Sequence, residues 1–225
     1  MDKIIDRYLL YSYYVHNDWN NKIGIVQMQS YERIELEKLC SIKAGLPIGR
    51  AKRYVEGAEP NEAWVLAPRA MEDGRINEAL LATEVVYNAK DEFFTHEGDV
   101  VLKLSTPYDS VYIDKVHEGI LVTSFGVILR SRVGSVDMRY LAAFLNLPNG
   151  LTALQMAGSG SIIPILKKKD VARVQIVVPP LDVQARLAAL QTNVQERKEL
   201  CRRMMIKSDE LLQAEFDREL WSGSE

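Results

Sequence analysis

A chain of 225 residues and 25.5 kDa can bury one domain with an appendage, and 47% hydrophobic with 26% charged residues exclude the disordered, collagen-like and disulfide-scaffold classes. The balance of 28 Lys and Arg against 31 Asp and Glu, a net charge of −3, gives no global attraction to nucleic acid or anionic membrane. Any DNA contact has to come from a local patch.

From Met1 to about Ser30, Ile4, Tyr8, Tyr11 and Val15 recur at helical spacing and the pattern stops at His16-Asn17-Asp18, which predicts one short amphipathic helix. Its tyrosines read as packing on the rest of the protein, with partner binding as the alternative. Residues 31–180 read as short strands around an embedded helix. Strands are expected at 63–66, 84–87, 99–104, 111–114, 120–129 and 174–178, where β-branched residues alternate. Between them, Glu72-Asp73-Gly74-Arg75, Glu97-Gly98-Asp99 and Glu118-Gly119 place glycine after acidic residues, a turn signal. Asp137 is a candidate cap for a helix over 138–145, which Pro148-Asn149-Gly150 is expected to terminate.

Pro179-Pro180 cannot continue a strand ladder, and Asp182 is expected to cap a helix running to about Leu220. Such a helix is roughly 55 Å long at 1.5 Å per residue. Leu187, Leu190, Val194, Cys201, Met204 and Leu211 fall at heptad spacing, with Arg197 and Ser208 in two seam positions and charge over the remaining face. So long and narrow a stripe predicts contact with another helix, the alternative being a helix folded back on its own sheet.

Catalytic constellations are missing. Gly158-Ser159-Gly160-Ser161 lacks the third glycine of a dinucleotide fingerprint and the Lys-Ser/Thr ending of a P-loop. His16, His96 and His117 show neither HxxxH nor HExxH spacing, so no metal site is expected. There is no GxSxG elbow and no motif for methyl transfer. Cys40 and Cys201 lie far apart with no CxxC, which predicts free buried thiols in a reducing compartment. No stretch reaches membrane-spanning length, and Asp2 and Asp6 interrupt the first residues where a signal peptide would be apolar, so a cytoplasmic location is expected.

Local basic clusters say more than the total. Lys43, Arg50, Lys52 and Arg53 gather in a loop region, Arg69 and Arg75 flank the next turn, Lys103 with Ser105, Thr106, Tyr108 and Ser110 ends a strand, and Lys167-Lys168-Lys169 with Arg173 forms the densest run. These side chains suit phosphates and base edges. Each alone reads as a solubility charge; together they favour DNA. Lys43, Arg50, Lys52, Arg53, Arg69 and Lys103, with Ser105, Thr106 and Tyr108, are the expected DNA-facing set.

The stretches Glu97-Gly98-Asp99-Val100-Val101-Leu102, Gly158-Ser159-Gly160-Ser161-Ile162-Ile163-Pro164-Ile165-Leu166, and Val174-Gln175-Ile176-Val177-Val178-Pro179-Pro180-Leu181-Asp182-Val183-Gln184 opening a long helix resemble, in order and spacing, the specificity subunit of type I restriction-modification systems. Leu36 to Gly45 looks like that family's first strand and turn, and Ala70 to Ile76 like its next turn. The resemblance covers about Glu35 to Leu220. It implies an α+β fold: a mixed α/β target recognition domain over residues 31–180, then a long coiled-coil-forming helix over 181–225, preceded by a helical segment over 1–30. The usual subunit carries two domain-helix units, so this chain resembles a half-length form that pairs with another half, most simply as a homodimer through Leu187, Leu190, Val194, Cys201, Met204 and Leu211. The family is non-catalytic. It binds double-stranded DNA and partners an adenine methyltransferase (M) subunit, which carries S-adenosylmethionine, and a restriction (R) subunit.

The pattern does not require the segment before about Ser30, and the charge is low for a DNA reader. A coiled-coil adaptor or protein-binding module that has lost DNA reading is therefore the second reading. A small hydrolase with a dispersed acid-base pair is the third, and no nucleophile assembles with a base to support it.

Overall fold

Alternation of apolar residues on two central strands makes the domain layered. The computed structural model describes residues 31–87, 89–132, 134–158 and 165–221; the helix expected before Ser30 and most of the glycine-rich run after Gly158 lie outside them. The main sheet is antiparallel, in the order β2 (Cys40–Ala44), β10 (Gly126–Ser131), β7 (Val100–Lys103), β8 (Ser110–Tyr112). On β7 and β10, Val100, Leu102, Val127 and Leu129 point to one core, while Val101 and Ile128 point to a second. A strand buried on both faces reads as a continuous apolar run, and Val100-Val101-Leu102 and Val127-Ile128-Leu129 are such runs.

The first core lies between this sheet and the helices α1 (Leu36–Leu39), α3 (Met138–Asn146), α4 (Pro148–Ala157) and α5 (Lys168–Ala172). The second joins it to a smaller sheet ordered β6 (Ala82–Val86), β3 (Asn61–Leu66), β9 (Leu121–Val122), through Leu66, Ile120 and Val122. The far face of the smaller sheet buries Ala63, Val65, Val86 and Leu121 under Ala51 of α2 (Ile48–Ala51) and Leu46. Two further pairs complete the fold: β1 (Glu32–Glu35) with β11 (Gln175–Val178), and the hairpin β4 (Met71–Glu72) with β5 (Arg75–Ile76).

Several expectations change. The strand expected over 120–129 is two strands in different sheets: Thr123 donates to the Leu66 carbonyl at 3.2 Å, the Gly126 amide donates to the Thr123 carbonyl at 3.0 Å, and the chain turns from β9 into β10. Helix α3 ends before Pro148 as expected, but Pro148 opens a further helix instead of a loop. It takes the first helical position of α4, where its missing N–H costs nothing, and a Cβ on Gly150 would lie 2.0 Å from the Phe144 carbonyl, so glycine lets α4 start against the last turn of α3. The first stretch after Glu35 is a helical turn before it becomes strand β2. Cys40 is buried and Cys201 exposed, because Cys201 points to a different side of its helix from Gln195 and Arg202, which face the domain.

The motif residues of the resemblance have structural roles. Asp99, 1% exposed, receives two hydrogen bonds from Arg130 at 2.8 Å each and one from the His96 amide, and Gly98 turns at φ +90°. The Pro-Pro junction leads into α6 (Leu181–Trp221), 41 residues and about 60 Å long. Asp182 is not its cap; the Pro180 carbonyl accepts from the Val183 and Gln184 amides, and Asp182 sits in the first turn, where a negative charge suits the helix dipole. Among the described residues no helix is long and apolar enough to cross a membrane.

Candidate nucleic-acid interface

The nine expected DNA-facing residues divide by burial. Arg50 lies in the last turn of α2, and Lys52 and Arg53 follow the helix, all exposed, with Tyr54 stacked edge-on against Tyr87 at 5.5 Å. This turn is fixed to the smaller sheet by the Tyr87 amide on the Ala51 carbonyl. Lys52 reaches Glu84 at 2.5 Å, and Lys43 on β2 reaches Glu92 at 2.7 Å while lying 4.7 Å from the Phe93 ring centroid. Lys43 holds the exposed Glu92 carboxyl below its ordinary range, chiefly by that hydrogen bond. Arg69 is exposed on the short helical turn Pro68–Ala70.

Lys103 and Tyr108 are inside the protein, at 8% and 7% exposure. Strand β7 is covered on both faces, so a cation at its end is covered too; the Lys103 charge acts on buried Asp109. Burial raises the Tyr108 hydroxyl above its ordinary range. Ser105 is half-buried and bridged to Ile165, and Thr106 is exposed before Pro107. The Leu166 amide donates to the Leu104 carbonyl at 2.9 Å. The turn at Ser105 and Thr106 therefore lies beside Lys167, Lys168 and Lys169, all exposed. The exposed polar residues thus lie in three places: at and after α2, at Arg69 on its short turn, and where the Ser105–Thr106 turn meets α5.

Exposed residues that the sequence did not single out lie on the smaller sheet. Strand alternation puts Glu62, Trp64, Thr83 and Val85 on one face, and Trp64 is 54% exposed. Its signal was the period-two pattern of β3, where Ala63 and Val65 go inward and Trp64 faces solvent. Among the described residues no three His, Cys, Asp or Glu side chains gather where they could hold a metal ion. His96 and His117 instead lie beside Asp91 at 3.1 Å and Asp114 at 2.7 Å.

Helix α6 leaves the domain with its apolar line uncovered. Gln184, Ala188, Gln195 and Arg202 fall within about 40° of one another around the axis, at about 100° per residue. Gln184 and Ala188 are buried, and Gln195 and Arg202 bond to the β4–β5 turn. About 90° away, Leu187, Val194, Cys201, Met205, Leu212 and Phe216 fall in one line, flanked by Leu190, and all seven are exposed. On a straight helix Met204 and Leu211 stand to the side of that line; Met205, Leu212 and Phe216 continue it and were missed because a strict heptad drifts from the 3.6-residue period.

No family profile and no curated protein sequence matches the chain. Solved structures do. The HsdS subunit from Thermoanaerobacter tengcongensis superposes with a TM-score of 0.58 at 18% identity, over 87% of this chain and 51% of that one. A chain described for complex assembly and conformational transition of the type I R-M system gives 0.61 at 15% identity, over 88% and 52%. The protein has the fold of type I restriction-modification specificity subunits, and it spans about half the length of these two structures.

Proposed function

We propose that the chain forms one recognition unit of a specificity subunit: a DNA-recognition module that reads one half of a split target and directs an adenine methyltransferase, and with it a restriction subunit, to that site. The observation that carries this reading is the HsdS fold, matched over about half of that structure's length, combined with a helix of 41 residues whose apolar line its own domain leaves open. A second copy of the chain, paired through that line, would supply the other recognition domain. The chain contributes recognition and spacing and no catalytic group; S-adenosylmethionine and the methyl transfer belong to the methyltransferase subunit. Such a complex works in the cytoplasm, where the chromosome is.

Arg50, Arg53, Arg69 and Thr106, with the lysine run at α5, are the exposed donors suited to phosphates and base edges. Lys43 and Lys52 contribute less while Glu92 and Glu84 neutralise them. Those two ion pairs and the net charge of −3 favour the second reading, a protein-binding adaptor on the same fold. Titrating the full chain with its methyltransferase partner against duplex DNA at two salt concentrations separates them. A reader binds duplex with an affinity that falls steeply as salt rises, and Arg50→Ala or Arg53→Ala reduces the salt slope by about one unit for each phosphate that is no longer neutralised. A complex that assembles and shows no duplex binding at low salt is an adaptor.

A further inference from the structure

The hairpin turn between β4 and β5 touches three elements far apart in sequence. Its two corner residues both turn left-handed, Asp73 at φ +53° and Gly74 at φ +73°. From inside the domain, the Gly74 amide donates to the carboxylate of buried Asp109 at 3.0 Å. From outside, Gln195 on α6 donates to the carbonyls of Asp73 and Gly74 at 3.2 and 3.3 Å, and two helical turns further on Arg202 reaches the Asp73 carboxylate at 3.4 Å. A Cβ on Gly74 would lie 2.4 Å from the Gln195 amide nitrogen and 2.9 Å from that of Asn146, so the helix lies against bare backbone there.

A second attachment sits at the root of α6. Gln184 is fully buried; its amide nitrogen donates to the carbonyls of Ser135 and Pro179, and its oxygen accepts from the Asp137 amide. Gln184 and Gln195 are about 16 Å apart along the axis and on nearly the same azimuth. One attachment would leave the helix free to swing about its root. Two attachments on one face define a direction, and the stretch after Arg202 continues it to Trp221, about 28 Å further.

We propose that the Asp73–Gly74 turn is a strap that sets the angle between the recognition domain and the free arm of α6, and that Gly74, Gln195 and Arg202 are thereby positioning residues for the distance between two half-sites. The spacing consequence rests on the DNA-reading function proposed above; the strap itself does not. A change of a few degrees at Gln195 moves the arm's end sideways and rotates whatever is docked there relative to the recognition domain.

The test uses the full chain in a Cys201→Ser background, with spin labels at Glu62→Cys on the smaller sheet and Gln213→Cys on the arm, diluted with unlabelled chain so that only distances within one copy are read. The strap predicts one narrow distance distribution, and at least a twofold broadening or a shifted maximum in Gln195→Ala/Arg202→Ala, which keeps good helix formers at both positions. Gly74→Ala, which places a Cβ against the helix, shifts the maximum if it folds. Unchanged distributions in the double variant overturn the strap. In a methylation-free host with the methyltransferase subunit, the double variant is expected to add motifs whose spacer differs by a base pair to the single spacing of the parent. Broadened distances with an unchanged methylated spacing overturn the spacing role alone, and a parent that directs no methylation overturns the DNA-reading function while the distance result still decides the strap.

Discussion

Two buried polar side chains, Asp109 and Gln184, hold a turn and the root of the long helix from inside the domain. Burial pushes the Asp109 carboxyl up to about 6, against the amides of Gly74 and Ser110 and the charge of Lys103, which pull it down. A raised carboxyl takes up its proton in the folded state before it does so in the unfolded one. Its contribution to stability is complete below about pH 3.8 and is lost as pH rises through about 6. Two pH units at 1.36 kcal/mol per unit make this about 3 kcal/mol as an order of magnitude. Asp109→Asn does not titrate, so the stability of the parent relative to this variant should fall by about that amount between pH 4 and pH 7, as read by urea unfolding. A pH-independent gap contradicts the assignment. Glu92 and Glu118, held low by Lys43 and Lys115, act in the opposite sense and cancel in the comparison. Gln184→Ala strands the Asp137 amide and two carbonyls, an expected loss of about 2–4 kcal/mol; a loss below about 1 kcal/mol would mean that the helix root is held by packing alone. The Gln was visible in the sequence as the end of Pro-Pro-Leu-x-x-Gln, whereas Asp109 gave no signal, since its burial depends on a hairpin 35 residues away.

Among the elements, what could be read from sequence was what depends on local periodicity. Strands β3, β6, β7, β8 and β11 and helix α3 fall where alternation and capping put them, within a few residues. Missed elements depend on distant partners: β1, Glu-Arg-Ile-Glu, has only Ile34 to mark it and exists because β11 pairs with it, and α4 begins at a proline that reads as a stop. The site was legible in part for the same reason. Exposure of Arg50 and Arg53 follows from their place on and just after the short helix α2 at the surface, while the inward placement of Lys103 and Tyr108 follows from a sheet covered on both sides. For α6, the apolar line predicts a dimer at micromolar concentration by light scattering and a monomer for Leu190→Asp/Val194→Asp, which places unpaired charge in the seam. A monomeric parent contradicts pairing through this helix. Thiol labelling gives an independent reading: Cys201 should label slowly in the parent and quickly in the double variant, while Cys40, with its thiol pushed up to about 12 by burial, stays unreactive until unfolding.

At the scale of the whole molecule, the proposed reading requires doubling, because one domain and one angled helix supply only one half of a bipartite reader. Two identical domains related by a two-fold axis present the same surface to opposite strands, so a homodimer reads an interrupted palindrome. The helix is about 60 Å long, enough to separate half-site centres by one to two turns of duplex at about 34 Å per turn. The most direct measurement is methylation mapping in a methylation-free host expressing the chain with its methyltransferase subunit, with each protein alone as a control. The account predicts adenine methylation at one split, self-complementary motif, present only when both proteins are present. Methylation by this chain alone, or an identical methylation pattern with and without it, would contradict the account.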